Sequence, residues 1–380
     1  MKDSKKAAAS QRRLRKKRVL CITLACVLTL SVVFGAVSLA LSYSPSVMTY
    51  GGASLREDAY AYWFACYKYE YLTAYKQLGI EDSEEGWEKE TQDGERYGDA
   101  FKAAIDKEIA MRFIASVLYD KSGEELSESV LSSLSDTMKE MEAYSYGADM
   151  YGDLKDSYGI RKAGLKRVAL YEIKYKALLA YRFGSDYSGV FASEYAEELA
   201  QFYSEHYSRY SFVYLSDEKN ADTQDALRTA LAAGLSDAEF LEWEREFSEA
   251  VLNDGQTAVN EKYPNGIYLY DGMRYDSVFS ATLLNAFYAL GDEGEVTEVR
   301  TENGTYFVRR LSLDEKPYLS KDEKVQSSLE GFAEYAARAF YRAELEECLD
   351  DVLTERSITD TYTLARVKKE ALYNIVNLIK

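Results

Sequence analysis

Residues that could carry out chemistry are scarce in this chain, and histidine is the scarcest of them. The 380-residue sequence has one histidine, His206, and four cysteines. Serine and cysteine nucleophiles usually depend on a neighbouring imidazole, and histidine-rich metal sites need several. The composition therefore excludes nucleophilic sites built on histidine and histidine-rich metal centres.

Other catalytic patterns are missing as well. The sequence contains no glycine-rich phosphate loop, no Cys-x-x-Cys pair and no calcium-loop pattern. Its 64 acidic residues form many carboxylate pairs, and spacing marks none of them as a general acid and base. We expect neither a metal nor a cofactor. His206 shares a predicted helix face with Tyr195, Leu199 and Phe202, which predicts a packed or helix-end histidine rather than a catalytic one.

The cysteines outside the apolar N-terminal segment are Cys66 and Cys348. Two thiols so widely separated in the sequence do not form a disulfide framework, so we interpret them as small buried hydrophobic residues. A hypothesis left open is that their two helices pack closely enough for a cross-link, which needs Cα atoms within about 7 Å of each other.

Charge is distributed unevenly along the chain. Residues 1–18 contain nine basic side chains and one acidic one, a net charge of +8, and the rest of the chain has −26. An acidic body repels nucleic acid, because phosphate contacts supply most of the non-specific affinity for DNA and RNA. We therefore expect no nucleic-acid partner and interpret 1–18 as a cytoplasmic basic segment.

The segment that follows has the length of a membrane span. The run 19–42 carries no charge and is long enough to cross a hydrocarbon core of about 30 Å. Two interpretations remain, an uncleaved anchor or a signal peptide cleaved after Ser38, Leu39 and Ala40. Signal peptides usually have apolar cores of about 7 to 15 residues, which favours a single-pass transmembrane anchor. The positive-inside rule then places the bulk of the protein outside the cytoplasm at the cell membrane, or free as a secreted form after cleavage.

Helical periodicity dominates the next part of the chain. A linker, 43–53, precedes Ser54, which forms a predicted capping box with Glu57 and opens a helix that ends near Gly79. Residues 54–207 are predicted to form an all-helical, chaperone-like domain, with further helices over 101–117, 125–143, 161–182 and 193–207.

The first of these helices carries an aromatic stripe. Tyr60, Trp63 and Tyr67 recur at helical spacing, which is typical of a face that packs in a core. The same side chains would also offer rigid contact area to an unfolded polypeptide. They are therefore the candidate substrate-binding residues of this domain.

The pattern changes to α+β over 208–314. The run RYSFVYL alternates between apolar and polar residues as a strand does. Two helical stretches follow, and Ser236, at the start of the second, is a plausible N-cap. A strand in NGIYLYDGM, a helix, and two alternating runs around Asn303 and Gly304 complete the module. Asn-Gly between alternating runs is a strong signal for a β-hairpin. The order strand, helices, strand, helix, hairpin predicts a compact α+β module.

The last segment, 315–380, is predicted to return to helix. Ser320 and Glu323 form a second capping box, opening a helix to about residue 355 whose apolar side needs a partner. We expect this helix to pack on 54–207, which would make 208–314 an insertion into one helical domain. The predicted fold class is therefore α+β and predominantly helical, with an N-terminal transmembrane helix.

Together these segments resemble SurA/PrsA-type exported foldases, which combine a helical chaperone domain with a parvulin-type peptidyl-prolyl isomerase module. Three stretches of 208–314 carry the resemblance. Arg209–Tyr214 is similar to the parvulin strand R-Y-x-H-I-L. Gly272 and Met273 with Phe279 are similar to the G-x-M…F stretch, and Thr305–Arg309 to the closing G-Y-H-I-I strand.

The departures from the parvulin pattern affect its site. Parvulins place two histidines in the floor of the site, and the matching positions here are Phe212 and Phe307, which have no ring nitrogen to hold a proton. The G-G-D-L-G turn is absent too. Met273 and Phe279 remain as an apolar wall that would hold a substrate proline. The resemblance thus implies a degenerate isomerase module.

The function that the resemblance implies is that of a membrane-anchored extracytoplasmic foldase or chaperone-like protein. It would bind unfolded or exported polypeptides in a hydrophobic cradle made from 54–207 with 320–355. Two alternatives stay open. One is an active peptidyl-prolyl isomerase, because twisting an X-Pro bond needs no proton transfer in principle. The other is a non-catalytic adaptor that binds one folded partner at the membrane.

Overall fold

The computed structural model describes residues 44–77, 79–144, 149–217, 220–252 and 255–367. The predicted basic segment, 1–18, and the predicted anchor, 19–42, lie outside these ranges. Within the ranges, no helix combines the length and the apolar character of a membrane span.

The described residues are mostly helical, with two small antiparallel sheets. The chain begins with β1 (Ser46–Tyr50), β2 (Ala53–Arg56), α1 (Glu57–Gln77), α2 (Glu84–Glu88), α3 (Tyr97–Ser122), α4 (Glu128–Tyr144), α5 (Met150–Tyr158) and α6 (Lys162–Phe183). It continues with α7 (Ala196–His206), β3 (Tyr207–Ser216), α8 (Ala221–Ala232), α9 (Asp237–Phe247), α10 (Val259–Lys262), β4 (Ile267–Tyr270), α11 (Ala281–Ala289), β5 (Val296–Arg300) and β6 (Gly304–Leu311). The last elements are α12 (Glu323–Ser328), α13 (Phe332–Glu347), β7 (Leu353–Thr354) and α14 (Arg356–Thr359).

These elements fall into two compact units. The described residues from 44 to Leu178 and from Leu345 to 367 belong to the first unit, and those within Leu179–Glu344 to the second. The division points lie within α6 and α13, whereas the sequence pattern places the module boundaries at 208 and 314. Helix α7 groups with the sheet of the second unit because it runs directly into β3 without a linker.

A small sheet stands where the sequence predicts a linker and the start of the first helix. β1 pairs with β2 and with β7, in the order β2-β1-β7. Ser54 lies within β2, so the predicted capping box is wrong, and α1 begins at Glu57. Gly51 and Gly52 form the turn between the strands, with φ of 56° and 85°, because a two-residue hairpin of type I′ needs positive φ at both positions. The first unit is therefore not all-helical.

The aromatic stripe of α1 lies in the core of the first unit. Tyr60 and Trp63 are fully buried, and Tyr67 is 4% exposed. Trp63 donates its indole N–H to Glu172 on α6 at 2.9 Å, and Tyr60 donates its hydroxyl to Asp106 on α3 at 2.5 Å. The polar ends of buried aromatic side chains usually find such partners. The interpretation of the stripe as a core face is confirmed.

A buried lysine ties the end of the described chain to the same helix. Lys68 is inaccessible to solvent and forms an ion pair with Asp82 at 2.7 Å. Its ammonium also donates to the backbone carbonyls of Leu364 and Val367, at 2.8 and 2.6 Å. Because a buried charge is tolerated only when it is paired and hydrogen-bonded, this lysine fixes the segment that follows α14 against α1.

The second unit is built on a four-stranded antiparallel sheet in the order β4-β3-β6-β5. The central pair, β3 and β6, is in register from Arg209 opposite Leu311 to Ser216 opposite Gly304. Helices α8 and α9 pack on one face of this sheet, and α11 packs on the other. Each face of the sheet therefore has its own apolar core.

The predicted order of elements in this module is confirmed. Ser236 caps α9 in a capping box with Glu239, as its position between two helical stretches indicates. The predicted hairpin of β5 and β6 is present, but its turn is not the Asn-Gly pair: Thr301, Glu302 and Asn303 connect the strands, Gly304 is the first residue of β6, and neither Asn303 nor Gly304 has positive φ. These signals are local, which is why the sequence alone identifies them.

The long helix predicted after 320 is interrupted. Asp322, not Ser320, caps α12 by accepting a hydrogen bond from the backbone N–H of Lys324 at 2.9 Å. Gly331, with φ of 80°, then separates α12 from α13, which starts at Phe332. The second predicted capping box and the continuous helix to 355 are both wrong.

Candidate functional site

Phe212 and Phe307, the two positions matched to the parvulin histidines, lie in the sheet of the second unit on opposite faces. Phe212 on β3 lies opposite Val308, and Phe307 on β6 lies opposite Val213. Neighbouring residues of a strand point to opposite faces, so Phe212 and Phe307 lie on different faces of the sheet. Phe212 packs on the α11 side and Phe307 on the side of α8 and α9. The predicted pair does not share the floor of one site.

Tyr306, rather than Phe307, shares a face with Phe212. The ring centroids of Phe212 and Tyr306 are 5.8 Å apart, and those of Tyr306 and Tyr214 are 4.6 Å apart. A shift of one residue along a strand turns every side chain to the other face. The residue of β6 that lies near Phe212 on the same face is therefore Tyr306 and not Phe307.

Gly304 is a sequence signal for an alignment of the closing strand shifted by one residue. A Cβ at this position would lie 2.4 Å from the backbone oxygen of Leu215, so only glycine fits. With Gly304 as the first residue of the closing motif, the third residue is Tyr306.

The rings on the α11 side of the sheet carry no nitrogen. Phe287 of α11 is fully buried there against Tyr210 and Phe212, at ring-centroid distances of 4.8 and 6.0 Å. Burial raises the pKa of Tyr306, so its hydroxyl stays neutral at physiological pH. These rings can pack against an apolar group, and they offer no acid or base that changes charge near neutral pH.

The two predicted wall residues lie in different environments. Met273 is 40% exposed, and its Sδ accepts a hydrogen bond from the hydroxyl of Tyr335 at 2.7 Å. Phe279 is buried in the core on the α11 side, with its ring centroid 5.7 Å from that of Phe287. An exposed residue and a core residue do not form a common wall for a proline.

The three substrate-binding candidates of the first unit have no surface to offer a client. Tyr60, Trp63 and Tyr67 are buried in the core described above. A polypeptide could reach them only if the unit unfolded, so their assignment to client binding is wrong.

Exposed apolar side chains are concentrated in the second unit. Of ten large hydrophobic side chains exposed among the described residues, two, Leu131 and Leu353, lie in the first unit. Apolar side chains at the surface mark binding sites when they gather around a concave feature. The second unit contains the other eight: Tyr181, Phe191, Phe247, Val251, Met273, Tyr288, Val296 and Leu319.

One of these side chains lies in an aromatic cavity. We use this name for a cavity of about 410 Å³ whose apolar lining is formed by Tyr187, Phe191, Tyr318, Leu329 and Phe332. The rings of Tyr318 and Phe332 stack with centroids 4.8 Å apart, and those of Phe191 and Phe332 lie 6.5 Å apart with 24° between their planes. Phe332 is 3% exposed and Phe191 is 41% exposed. The cavity therefore has a packed aromatic floor and an open aromatic edge.

Three separate segments build the aromatic cavity. Tyr187 has φ of 60° and leads into a 3₁₀ turn, Ser188–Phe191. Lys316 has φ of 49° and precedes a second turn, Pro317–Leu319. Phe332 is the first residue of α13. Tyr187 and Lys316 are the non-glycine residues with positive φ in the described chain, and such backbone persists where the surrounding structure holds it.

The rim of the aromatic cavity is acidic. Asp186, Glu330 and Glu334 line it, and no lysine or arginine does. Hydrogen bonds from Ser188 hold the pKa of Asp186 below its usual range, so this carboxylate is ionised at neutral pH. Glu334 forms an ion pair with Arg338 at 2.7 Å. Neither Asp186 nor Glu330 has a cationic partner among the described residues.

No pattern in the sequence marks this cavity. Phe191 and Phe332, whose rings face each other in it, come from distant parts of the chain. Each is an ordinary apolar residue in its own segment, and only the folded unit brings them together.

The single histidine is not at the cavity. His206 is the last residue of α7, and its Nδ1 lies 3.0 Å from Oδ2 of Asp271. Its ring centroid is 5.0 Å from that of Phe202. Of the two predicted alternatives, packed or helix-end, the structure shows the second: His206 lies at the end of α7 and its side chain is 40% exposed.

The cysteines and acidic side chains form no further site in the part of the chain that the structure describes. Cys66 is buried and Cys348 is half-buried, and neither is in a disulfide in the described structure. No group of three or more histidine, cysteine, aspartate or glutamate residues is placed to bind a metal ion there. Whether Cys66 and Cys348 can be cross-linked stays a prediction.

No family model and no curated protein matches this chain. Several solved structures are similar to it. PrsA from Bacillus subtilis is 19% identical, with 72% of this chain and 96% of that one covered and a TM-score of 0.24. Peptidylprolyl isomerase (PrsA) from Bacillus anthracis is 18% identical, with 64% and 94% covered and a TM-score of 0.22. The foldase protein PrsA from Streptococcus pneumoniae is 15% identical, with 72% and 90% covered and a TM-score of 0.22. The chain is thus similar to PrsA-type foldases, as the resemblance in its sequence indicates, and this likeness assigns no role to any of its residues.

Proposed function

We propose that this chain is a membrane-anchored, foldase-like protein that binds unfolded exported polypeptides outside the cytoplasm. The observation that carries the binding function is the aromatic cavity of the second unit. Rigid rings supply a large contact area at a low cost in side-chain entropy. The cavity volume, about 410 Å³, is in the range of sites that take a ligand of a few side chains. Unfolded chains suit such a site because folded proteins bury most of their large apolar side chains.

We propose no catalytic activity for the four-stranded sheet of the second unit. Phe212 and Tyr306 lie near each other on one face of this sheet, and neither ring can relay a proton near neutral pH. The face they share is packed against Phe287, which leaves an apolar core where a polar site would be. We therefore expect polypeptide binding without peptidyl-prolyl isomerisation.

Anchoring and export are supported by the sequence of the segment 1–42. The uncharged run 19–42 follows a segment with a charge of +8, an order that keeps the start of a chain in the cytoplasm. The acidic body would then stand outside the membrane, where a surface of one charge sign keeps complexes with unfolded chains soluble.

Protease added outside intact cells that express the chain should digest residues 54–380 and leave 1–18 protected. The reason is that a segment with a charge of +8 resists translocation. Epitope tags at the two ends, followed on immunoblots, measure this, and permeabilised cells serve as the control in which both tags are lost. Survival of the C-terminal tag in intact cells would contradict the proposed localisation.

Changing Phe191 to alanine should weaken the binding of unfolded polypeptides by the full chain. The ring is 41% exposed and forms the open edge of the aromatic cavity, so its loss removes contact area without emptying the core. The full chain in lipid nanodiscs is mixed with a chemically unfolded model protein, and light scattering reports the suppression of aggregation. We expect Phe191→Ala to need several times more protein for the same suppression.

Tyr288→Ala is the matched control for this experiment. Tyr288 is 60% exposed, aromatic and in the same unit, but it does not line the cavity. Equal suppression by wild type, Phe191→Ala and Tyr288→Ala would rule out the cavity as the client site. A proline-peptide assay on the same samples decides the enzymatic alternative, since a rate above that of buffer would show an active isomerase.

A further inference from the structure

We propose that the aromatic cavity binds the arginine side chains of unfolded polypeptides, an inference that rests on the proposed function and specifies its substrate class. The cavity combines aromatic faces with carboxylates that have no cationic partner of their own among the described residues. A guanidinium group matches both features. The occupant is therefore a polypeptide segment with an arginine among apolar residues.

The aromatic rings of the cavity offer surfaces that attract a cation. Tyr187, Phe191, Tyr318 and Phe332 all line the cavity. The negative face of an aromatic ring attracts a cation placed within about 6 Å of its centroid. Phe191, Phe332 and Tyr318 lie in nearly parallel planes, at 24° and 7° for the two neighbouring pairs. Tyr318 and Phe332 stack on each other and are 9% and 3% exposed, so the accessible ring on which a planar guanidinium can stack is that of Phe191, which is 41% exposed.

The carboxylates supply the second part. Asp186 and Glu330 line the cavity and form no ion pair among the described residues, whereas Glu334 is engaged by Arg338. Because the lining has carboxylates and no lysine or arginine, its charge favours a bound cation over a bound anion. A neutral apolar group bound in the cavity would gain no electrostatic attraction from the carboxylates of Asp186 and Glu330.

Arginine fits this arrangement better than lysine or an uncharged side chain. The ammonium of lysine is a compact, strongly hydrated point charge, and it cannot stack on a ring as a planar group does. A phenylalanine or leucine side chain could fill the same volume by apolar contact alone. The negative charge of the rim favours arginine over these neutral side chains, because it attracts the guanidinium and gives a neutral group no electrostatic attraction.

The test uses four fluorescein-labelled peptides of identical apolar sequence with one variable central residue: arginine, lysine, citrulline or glutamate. Citrulline has nearly the shape of arginine without its charge, so the pair isolates the electrostatic contribution. Binding to the full chain in nanodiscs is measured by fluorescence anisotropy. We expect the arginine peptide to bind about tenfold more tightly than the citrulline peptide, with lysine between them and glutamate weakest.

Two variants locate the effect within the second unit. Glu330→Gln should reduce the affinity for the arginine peptide several-fold and leave the citrulline peptide unchanged, because it removes a charge that has no other partner among the described residues. Glu302→Gln is the control, since Glu302 is an exposed carboxylate of the same unit that does not line the cavity. We expect it to change neither affinity.

The outcomes separate this inference from the proposed function. Equal affinity for the arginine and citrulline peptides, with both weakened by Phe191→Ala, would overturn the preference for arginine and keep the cavity as a client site. An arginine preference that survives Glu330→Gln and Phe191→Ala would also overturn it, because the preference would then lie elsewhere. Binding of no peptide would overturn it too, and the aggregation assay would then show whether the chain binds polypeptides at all.

Discussion

Changing Phe307 to histidine should lower the free energy of unfolding of the second unit by about 3 kcal/mol, whereas Tyr306→His should cost less than about 1 kcal/mol. Phe307 is 1% exposed and packs with Leu227 and Phe240 in the core beneath α8 and α9. An imidazole there is smaller than the phenyl ring and buries ring nitrogens in a cluster of apolar side chains. Tyr306 is only partly buried, so its replacement keeps access to water.

The pair of variants tests the register of the closing strand. Tyr306 and Phe307 are adjacent, and they differ in the face of the sheet to which they belong. Unfolding can be followed in urea on the full chain labelled with 5-fluorotryptophan, since Trp243 is the one tryptophan in the second unit and gives its own fluorine signal. If Tyr306→His lowered the free energy of unfolding strongly and Phe307→His did not, the alignment that matches Phe307 to a parvulin histidine would be favoured instead.

The stability of the second unit should fall by about 3 kcal/mol between pH 5 and pH 8, and Glu244→Gln should remove this fall. Glu244 on α9 is 2% exposed, and its carboxylate accepts a hydrogen bond from the hydroxyl of Ser211 on β3 at 2.5 Å. Burial raises the pKa of Glu244 from 4.5 to about 7, against smaller opposite effects of Ser211 and of the neighbouring Arg245.

The sign of this prediction follows from the two states of the carboxyl group. In the folded unit Glu244 keeps its proton up to about pH 7, whereas in the unfolded chain it loses the proton near pH 4.5. Between these values unfolding releases a proton, so a rise in pH favours unfolding. The stabilisation is fully present below about pH 4.5 and is lost by the time the pH has risen through about 7.

Glutamine at position 244 keeps the shape and can still accept from Ser211, but it has no proton to lose in this range. Glu242→Gln is the control on the same helix, because Glu242 is exposed. Urea unfolding of the three proteins at several pH values, read from the fluorine signal of Trp243, gives the comparison. A wild-type curve parallel to that of Glu244→Gln would show that Glu244 is already ionised in the folded unit.

Local signals in the sequence determined the second unit's elements and their order. Ser236 with Glu239 caps α9 within one helical turn, and the alternating runs on either side of Asn303 mark the two strands of the hairpin, so no distant partner is needed to identify them. The Gly51-Gly52 turn is a signal of the same kind, and recognising it would have predicted the first hairpin instead of a linker.

The faces of these elements were decided only by the tertiary structure. Alternation along β6 shows that neighbours point in opposite directions, but the pairing with β3 decides which of Tyr306 and Phe307 joins Phe212. Likewise, the spacing of Tyr60, Trp63 and Tyr67 predicts one helix face, and only the surrounding helices make that face a core rather than a client site.

The sequence determines which reactive and charged side chains this protein has, and the fold determines where its candidate binding site lies. One histidine, an acidic body and an uncharged run near the start restrict the function whatever the chain's conformation, because they are properties of composition. The aromatic cavity cannot be recognised from composition. Phe191 is far in the sequence from Tyr318 and Phe332, and the contact of these rings depends on positive φ at two non-glycine residues, Tyr187 and Lys316, which no local pattern encodes, and on the break at Gly331 before α13.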